Sequence, residues 1–350
     1  MLPEYECCTA LYAACSANFP CLESIKVLLA AGDLALISAT NYRGYTVLLG
    51  VLQKPEASLD IVKILYEWDK NLFRYRTTCG LTAIHVACAC SVGNRVLEFI
   101  IANVPETLSI GCKSLGYTPL HTALSCHVVS EDIVTLLAEK SPWAILKRSK
   151  NNGMSPLCLA CCSKGGSPEV IEILVAYYPC TTLKLFGLVD IPPSTISTLF
   201  DCLNYNCRIT TLTMTKCVFS ELVSLAFFQS LTTNDTFLVL QCDFTCITWT
   251  DPVIACFKQF VAMNTTLALF RFSVSVLESR STGLLERLAL NPRLDAIDIL
   301  RFWFGDGFAS VITVAMRACD NLNVFNVNFE LMGTIGTVDL AREQSMVSLS

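Results

Sequence analysis

The octapeptide GLTAIHVA at 80–87 returns as GYTPLHTA at 116–123 and again as GMSPLCLA at 153–160. Upstream, GYTVLLGV occupies 44–51 and CCTALYAA occupies 7–14. The starts at 7, 44, 80, 116 and 153 are separated by 37, 36, 36 and 37 residues. This recurrence constrains the chain more than any feature of its composition. A unit of this size cannot bury its own apolar face, so each copy must stack on its neighbours.

A second pattern begins 15 or 16 residues after each start: ESIKVLLA at 23–30, DIVKILYE at 60–67, RVLEFIIA at 95–102, DIVTLLAE at 132–139 and EVIEILVA at 169–176. Pairs such as Val62/Leu65 and Val134/Leu137 sit three residues apart, on one helical stripe. Each unit therefore reads as turn, short helix, loop and longer helix. Within the signature, Gly116 suits a turn with positive φ, and Thr118 is placed to cap the following helix, as Thr82 is one unit earlier. Pro119 stands where a missing N–H costs nothing. His121, and His85 at the same place one unit earlier, are expected to hydrogen-bond loop backbone through their ring nitrogens. No base or ligand arrangement accompanies them, so both read as structural and not as catalytic.

These units resemble ankyrin repeats, whose motif is Thr-Pro-Leu-His-x-Ala after a glycine. The resemblance covers about residues 7–180, within a domain at 1–180 of about five units of 36–37 residues. The family's usual period is about 33, so the extra residues are expected in the loops between helices, at 90–94, 125–130 and 162–168.

From about Cys180 the period changes. Asparagine, two spacers and an alternating apolar run recur at Asn206, Asn234, Asn264 and Asn291, with strand anchors at 209, 237, 267, 294 and 322. The anchors are 28, 30, 27 and 28 residues apart, and an earlier copy is expected to be anchored at Leu183. Helical patterns lie between them, at 220–231, 252–263, 283–290 and 311–318. A period-two strand followed by a period-3.6 helix puts parallel strands on one wall and helices on the other. This second region, a domain at 181–335, resembles over about 180–330 leucine-rich repeats of the ribonuclease-inhibitor-like kind, in five to six units of 27–30 residues. The resemblance implies that the four asparagines satisfy backbone groups of the turns within the stack. Residues 336–350 read as an irregular tail. The expected fold class is thus a repeat solenoid: an all-α ankyrin array joined to an α/β leucine-rich array with its parallel strands on the concave side.

Composition narrows the function. The chain is 53% hydrophobic and 16% charged, yet its apolar runs are far shorter than the roughly 20 residues that span a bilayer, and the N-terminus has no signal-peptide pattern. Its 20 cysteines mostly stand beside alanine or leucine, where thiols act as small hydrophobes. The expected setting is the cytoplasm or nucleus, with no membrane insertion. Residues 1–180 carry 14 basic against 15 acidic side chains and residues 181–350 carry 11 against 15, so neither half is a basic nucleic-acid binder. No phosphate loop, dinucleotide fingerprint or His-Glu-x-x-His run occurs. Cys158, Cys161 and Cys162 form the most metal-like run, but they fall on a helix at positions that are apolar in sister units. Neither a cofactor nor a metal is expected, and the chain reads as a non-enzyme.

Stacked units offer surfaces, not pockets. The ankyrin resemblance implies that partners bind turn tips and inner helices. Here Arg43, Arg74, Arg76, Lys113, Lys147, Arg148 and Lys150 fall just before successive starts, which suits an acidic or phosphorylated peptide. On the second array, Thr213, Gln241, Arg271, Asp298 and Asn326 form one outward row. The leading expectation is a scaffold or adaptor that binds a protein or peptide partner. The alternative is a structural or regulatory fragment of a larger receptor-like or effector protein, packed against a missing neighbouring domain. Substrate recognition for a modifying enzyme would need a recruitment segment that the sequence does not show.

Overall fold

Threonine and serine at fixed places start the helices. Thr46 Oγ1 accepts from Leu49 N–H at 3.4 Å, Thr118 Oγ1 from His121 N–H at 3.5 Å, and Ser155 Oγ from Cys158 N–H at 3.3 Å. Each hydroxyl thereby satisfies one of the donors that an α-helix leaves unpaired at its N-terminus. The chain is described by a computed structural model over residues 9–15, 17, 20–32, 39, 40, 43–162, 166–243, 247–273, 294–303, 324–331, 334–341 and 348–349. It divides into two units, Met1–Tyr178 and Pro179–Ser350.

In the first unit the helices come in pairs: α1 (Ala10–Cys15) with α2 (Leu22–Ala31), α3 (Val47–Val51) with α4 (Leu59–Trp68), and α5 (Ala83–Ala89) with α6 (Asn94–Asn103). α7 (Pro119–Leu124) and α8 (Glu131–Lys140), then α9 (Pro156–Cys162) and α10 (Pro168–Ala176), complete the series. Short 3-10 turns, such as Pro105–Ser109 and Pro142–Leu146, follow the longer helices. The pairs stack because one stripe of every helix is apolar: Val62, Leu65, Leu97, Ile100, Val134, Leu137, Ile171 and Leu174 are all buried. Gly44, Gly80, Gly116 and Gly153 recur at the same corner with φ of 75°, 80°, 70° and 68°. A Cβ on Gly116 would meet Lys150 N at 2.9 Å, so this corner admits no side chain. The residues beyond a 33-residue period fall between the paired helices, at 125–130 for example.

The second unit alternates strands β1 (Thr182–Phe186), β2 (Thr211–Thr215), β3 (Val239–Asp243) and β4 (Leu269–Ser273) with helices α11 (Pro193–Tyr205), α12 (Glu221–Thr233) and α13 (Asp251–Met263). β5 (Ala296–Trp303) and β6 (Val324–Leu331) extend the sheet, whose order is sequential and parallel from β1 to β6. Isolated parallel bridges, Val189↔Val218 and Phe219↔Ile247, add a second line of pairing beyond the strands. Helices and strands meet over a phenylalanine core. Phe200, Phe227, Phe228, Phe237, Phe257, Phe260 and Phe270 are fully buried, with edge-on neighbours such as Phe228–Phe257 at 5.0 Å between centroids.

Asparagine closes the turns before the strands. Asn264 Nδ2 donates to Leu231 O (3.1 Å) and Asn234 O (3.0 Å), while its Oδ1 accepts from Thr266 and Leu267 N–H. Asn234 Oδ1 likewise accepts from Thr236 and Phe237 N–H. Asn206 is only half-buried and closes its own turn, accepting from Arg208 N–H at 3.1 Å. Asn291 and the helices expected at 283–290 and 311–318 lie outside the described residues.

Two expectations are corrected. Leu183 does not anchor the first strand from three residues ahead; it pairs with Leu212, and Leu185 pairs with Met214. The alternation Leu183/Leu185 faces the core directly, which moves the register by three residues. The expected tail at 336–350 instead carries most of β7 (Thr334–Ala341) and all of β8 (Ser348–Leu349), antiparallel to β6 and to β7 respectively. A bare β6 edge would leave a row of backbone donors and acceptors unpaired, and the returning strand covers it.

Leu120 is 1% exposed. Leu120→Asp is expected to cost about 3–5 kcal/mol, from an unpaired carboxylate and lost packing, read as a lower midpoint in urea unfolding. Asn264→Ala leaves several buried turn groups unpaired and should cost about 2–3 kcal/mol. Asn206→Ala, at a half-buried turn, should cost clearly less in the same measurement.

Candidate functional site

Before each short helix the chain forms a narrow hairpin. Thr77 N–H bonds Leu81 O, Cys112 N–H bonds Tyr117 O, and Ser149 N–H bonds Met154 O, each at 2.9 Å. Neighbouring hairpins are also bonded to each other: Thr78 N–H to Arg43 O (3.2 Å), Lys113 N–H to Cys79 O (2.8 Å) and Lys150 N–H to Leu115 O (2.8 Å). The tips of four successive units thus form one laterally bonded row.

Histidine fastens the row from beneath. His85 Nδ1 accepts from Thr82 N–H at 3.2 Å, which leaves the ring proton on Nε2, and Nε2 donates to Tyr117 O of the next hairpin at 2.9 Å. His121 repeats the arrangement, with Nδ1 accepting from Thr118 N–H at 3.3 Å and Nε2 donating to Met154 O at 3.1 Å. Both rings are buried. Burial holds His85 down to about 4 and lowers His121 as well. With both nitrogens engaged, neither ring has a position left for substrate.

The expected tip cations are all exposed: Arg43, Arg74, Arg76, Lys113, Lys147, Arg148 and Lys150. Hairpin segments 74–80, 110–116 and 147–153 contain no Asp or Glu. Arg74 reaches out of the row and pairs with Glu106 at 2.8 Å, a contact between units that the sequence did not reveal. Arg148 Nη1 donates to Gly153 O of its own hairpin at 3.3 Å. The stems of Lys113 and Lys150 lie against the preceding hairpin, where a Cβ on Gly80 or Gly116 would meet Cγ at 2.7 or 2.5 Å. Each ammonium is therefore carried by a packed stem. Tyr75 and Leu115 are each 37% exposed among these cations. The carboxylates of this unit gather elsewhere, on the longer helices: Asp60 and Glu67, Glu98, Glu131 and Asp132, Glu169 and Glu172. A net charge near zero conceals this separation.

The buried cysteines among the described residues serve packing. The Cys126 thiol lies 3.5 Å from Ala89 O and 3.4 Å from Thr122 O. Burial pushes Cys15 up to about 12 and raises Cys88, Cys90 and Cys126. Cys158 and Cys161 are buried on α9. Among the described residues no group of three or more His, Cys, Asp or Glu is arranged to hold a metal.

In the second unit the register aligns Thr213, Gln241, Arg271, Asp298 and Asn326 in one row across β2–β6. The row begins one strand earlier than the sequence suggested, at the exposed Lys184 opposite Thr213. Correct alternation in Thr-Leu-Lys-Leu-Phe was the signal for it. Beside it, Lys216 adopts φ 54° and sets its ammonium 5.3 Å from the Phe186 ring centroid.

Residues 89–184 match the family described as ankyrin repeats (3 copies). No curated protein matches the chain. Among solved structures, one similar chain comes from the complex of the Bd0816 predatory endopeptidase of Bdellovibrio bacteriovorus with immunity protein Bd3460. It is 19% identical, with a TM-score of 0.39, over 56% of this chain and 93% of that one. No helix among the described residues is long and apolar enough to cross a membrane.

The buried histidines make the first unit acid-sensitive. An unfolded imidazole titrates near ~6.5, so below that pH the unfolded chain takes up protons that folded His85 refuses until about pH 4. Stability is fully present above the unfolded value and lost as pH falls toward the folded one. Between pH 7 and 5 the His85 share of the loss is roughly 2 kcal/mol. His85→Gln, which keeps an amide able to bond the turn, should flatten the pH dependence of the urea midpoint across that window.

Proposed function

We propose that the chain is a non-enzymatic protein-interaction module, a scaffold or adaptor, in which the row of ankyrin hairpin tips is the principal binding surface. The ankyrin match supports a protein-binding role for residues 89–184. The two helix pairs upstream are read as part of the same array, because Gly44 repeats its corner and Thr9 and Thr46 repeat its cap. One observation carries the choice of surface: successive tips are bonded to one another and present side chains from a backbone that is already fixed. Such a surface loses little conformational freedom on binding.

The second unit is read as a leucine-rich array of the ribonuclease-inhibitor-like kind. One strand and one helix per unit and asparagines inside the turns support that reading, from which phenylalanine in place of leucine departs. Its sheet row, Lys184 to Asn326, is the second candidate surface, because six strands bring polar residues into register there. Buried thiols that pack as small hydrophobes favour a reducing compartment, the cytoplasm or nucleus.

The test uses the full chain. A random-peptide display library is panned against immobilised protein, and the binders are measured on two double variants. Lys147→Glu with Arg148→Glu should weaken them at least about tenfold, the loss of roughly 1.4 kcal/mol. Lys184→Glu with Gln241→Glu should leave them within about twofold. The opposite pattern would move the binding surface to the sheet.

A further inference from the structure

Resting on the proposal that the tips bind protein, we infer that the row is a docking strip for an extended acidic segment with a carboxylate at about every third residue. Charge is the first reason. The hairpins carry Arg76, Lys113, Lys147, Arg148 and Lys150 and no carboxylate. The described ion pair in this region, Arg74–Glu106, lies beside the row, and Arg148 donates to the Gly153 carbonyl of its own hairpin.

Spacing is the second reason. Lys113 and Lys150 are equivalent positions, each bonded through its N–H to the hairpin before it. Stacked helices lie about 8–10 Å apart, which sets the step between units. A polyproline II chain advances about 3.1 Å per residue with three residues per turn, so three residues span one step and every third side chain returns to the same face. A segment laid along the row therefore meets a fresh cation with every third side chain. The intervening side chains pass Tyr75 and Leu115, whose partial exposure offers apolar contact at the same level.

Other anions fit less well. Duplex nucleic acid carries one charge per about 1.7 Å, far denser than these cations.

The experiment measures binding of labelled peptides to the full chain by fluorescence anisotropy, at low and at physiological ionic strength. The probe is Glu-Ser-Thr repeated over about four units of the array, and its control carries Gln for Glu. The glutamate peptide should bind, weaken with salt, and lose at least about tenfold in affinity on Lys113→Glu with Lys150→Glu. The glutamine peptide should bind at least about tenfold more weakly. Lys113→Gln with Lys150→Gln removes the charge while retaining a stem, and circular dichroism of both variants checks the fold. Equal binding of the two peptides, or binding indifferent to both double variants, would overturn the inference. If display binders are lost on tip reversal but lack acidic residues, the acidic strip is overturned while the tip surface stands. Binders indifferent to tip reversal would remove both. Capture by phosphatidylserine vesicles without peptide binding, abolished by the same substitutions, would reassign the strip to membranes and overturn the inference.

Discussion

His85 gives its Nε2 proton to a carbonyl in the next unit, and Asn264 gives its amide protons to carbonyls in the unit before. In both arrays the backbone of a turn is completed by a side chain from a neighbour. A buried polar group left unpaired costs about 1–3 kcal/mol, so removing a neighbour exposes an apolar face and also opens a turn. Stacking is therefore obligatory for each unit. This explains how a chain that is 53% hydrophobic stays ordered in pieces of about thirty residues: its apolar faces are interfaces, and polar bonds fix which faces meet.

The same bonds determine what the surface can present. The tips cannot shift independently, because each hairpin is bonded to the next and each histidine ties the turn below. Cations on such a row keep their spacing without a ligand, so spacing becomes a means of selection. The acidic residues are placed where helices favour them, in first turns such as Asp60, Asp132 and Glu169, near the positive end of the helix dipole. Local helix energetics thus sort the charges, and an edge of one sign results.

Much of this was legible because it is periodic. Gly80 and Gly116, Thr82 and Thr118, and His85 and His121 recur at one spacing, and a recurring residue with a hydrogen-bonding duty points to the same duty each time. Asn234 and Asn264 were legible in the same way. The first strand was not, because Leu183, Phe186 and Leu188 imitate the spacing of an anchor and its followers; only pairing with Leu212 decides the register. Arg74–Glu106 joins residues 32 apart with no pattern around them. β7 was hidden for a further reason. Gly336 interrupts its alternation, and its place depends on the open edge of β6, a need that arises only once the sheet exists.

The two arrays solve one problem with different chemistry, and the difference has a consequence. An asparagine amide and an imidazole both donate and accept, and either can complete a turn. The imidazole can also take a proton. Once protonated, His85 Nδ1 becomes a donor facing the Thr82 N–H that it should accept from, so the bond at 3.2 Å turns into a repulsion within a buried site. Nothing comparable happens at Asn264. Mild acid consequently acts on the ladder beneath the cationic tips and leaves the asparagine turns intact. The surface proposed for recognition is thus built on the part of the molecule whose internal bonding depends on pH.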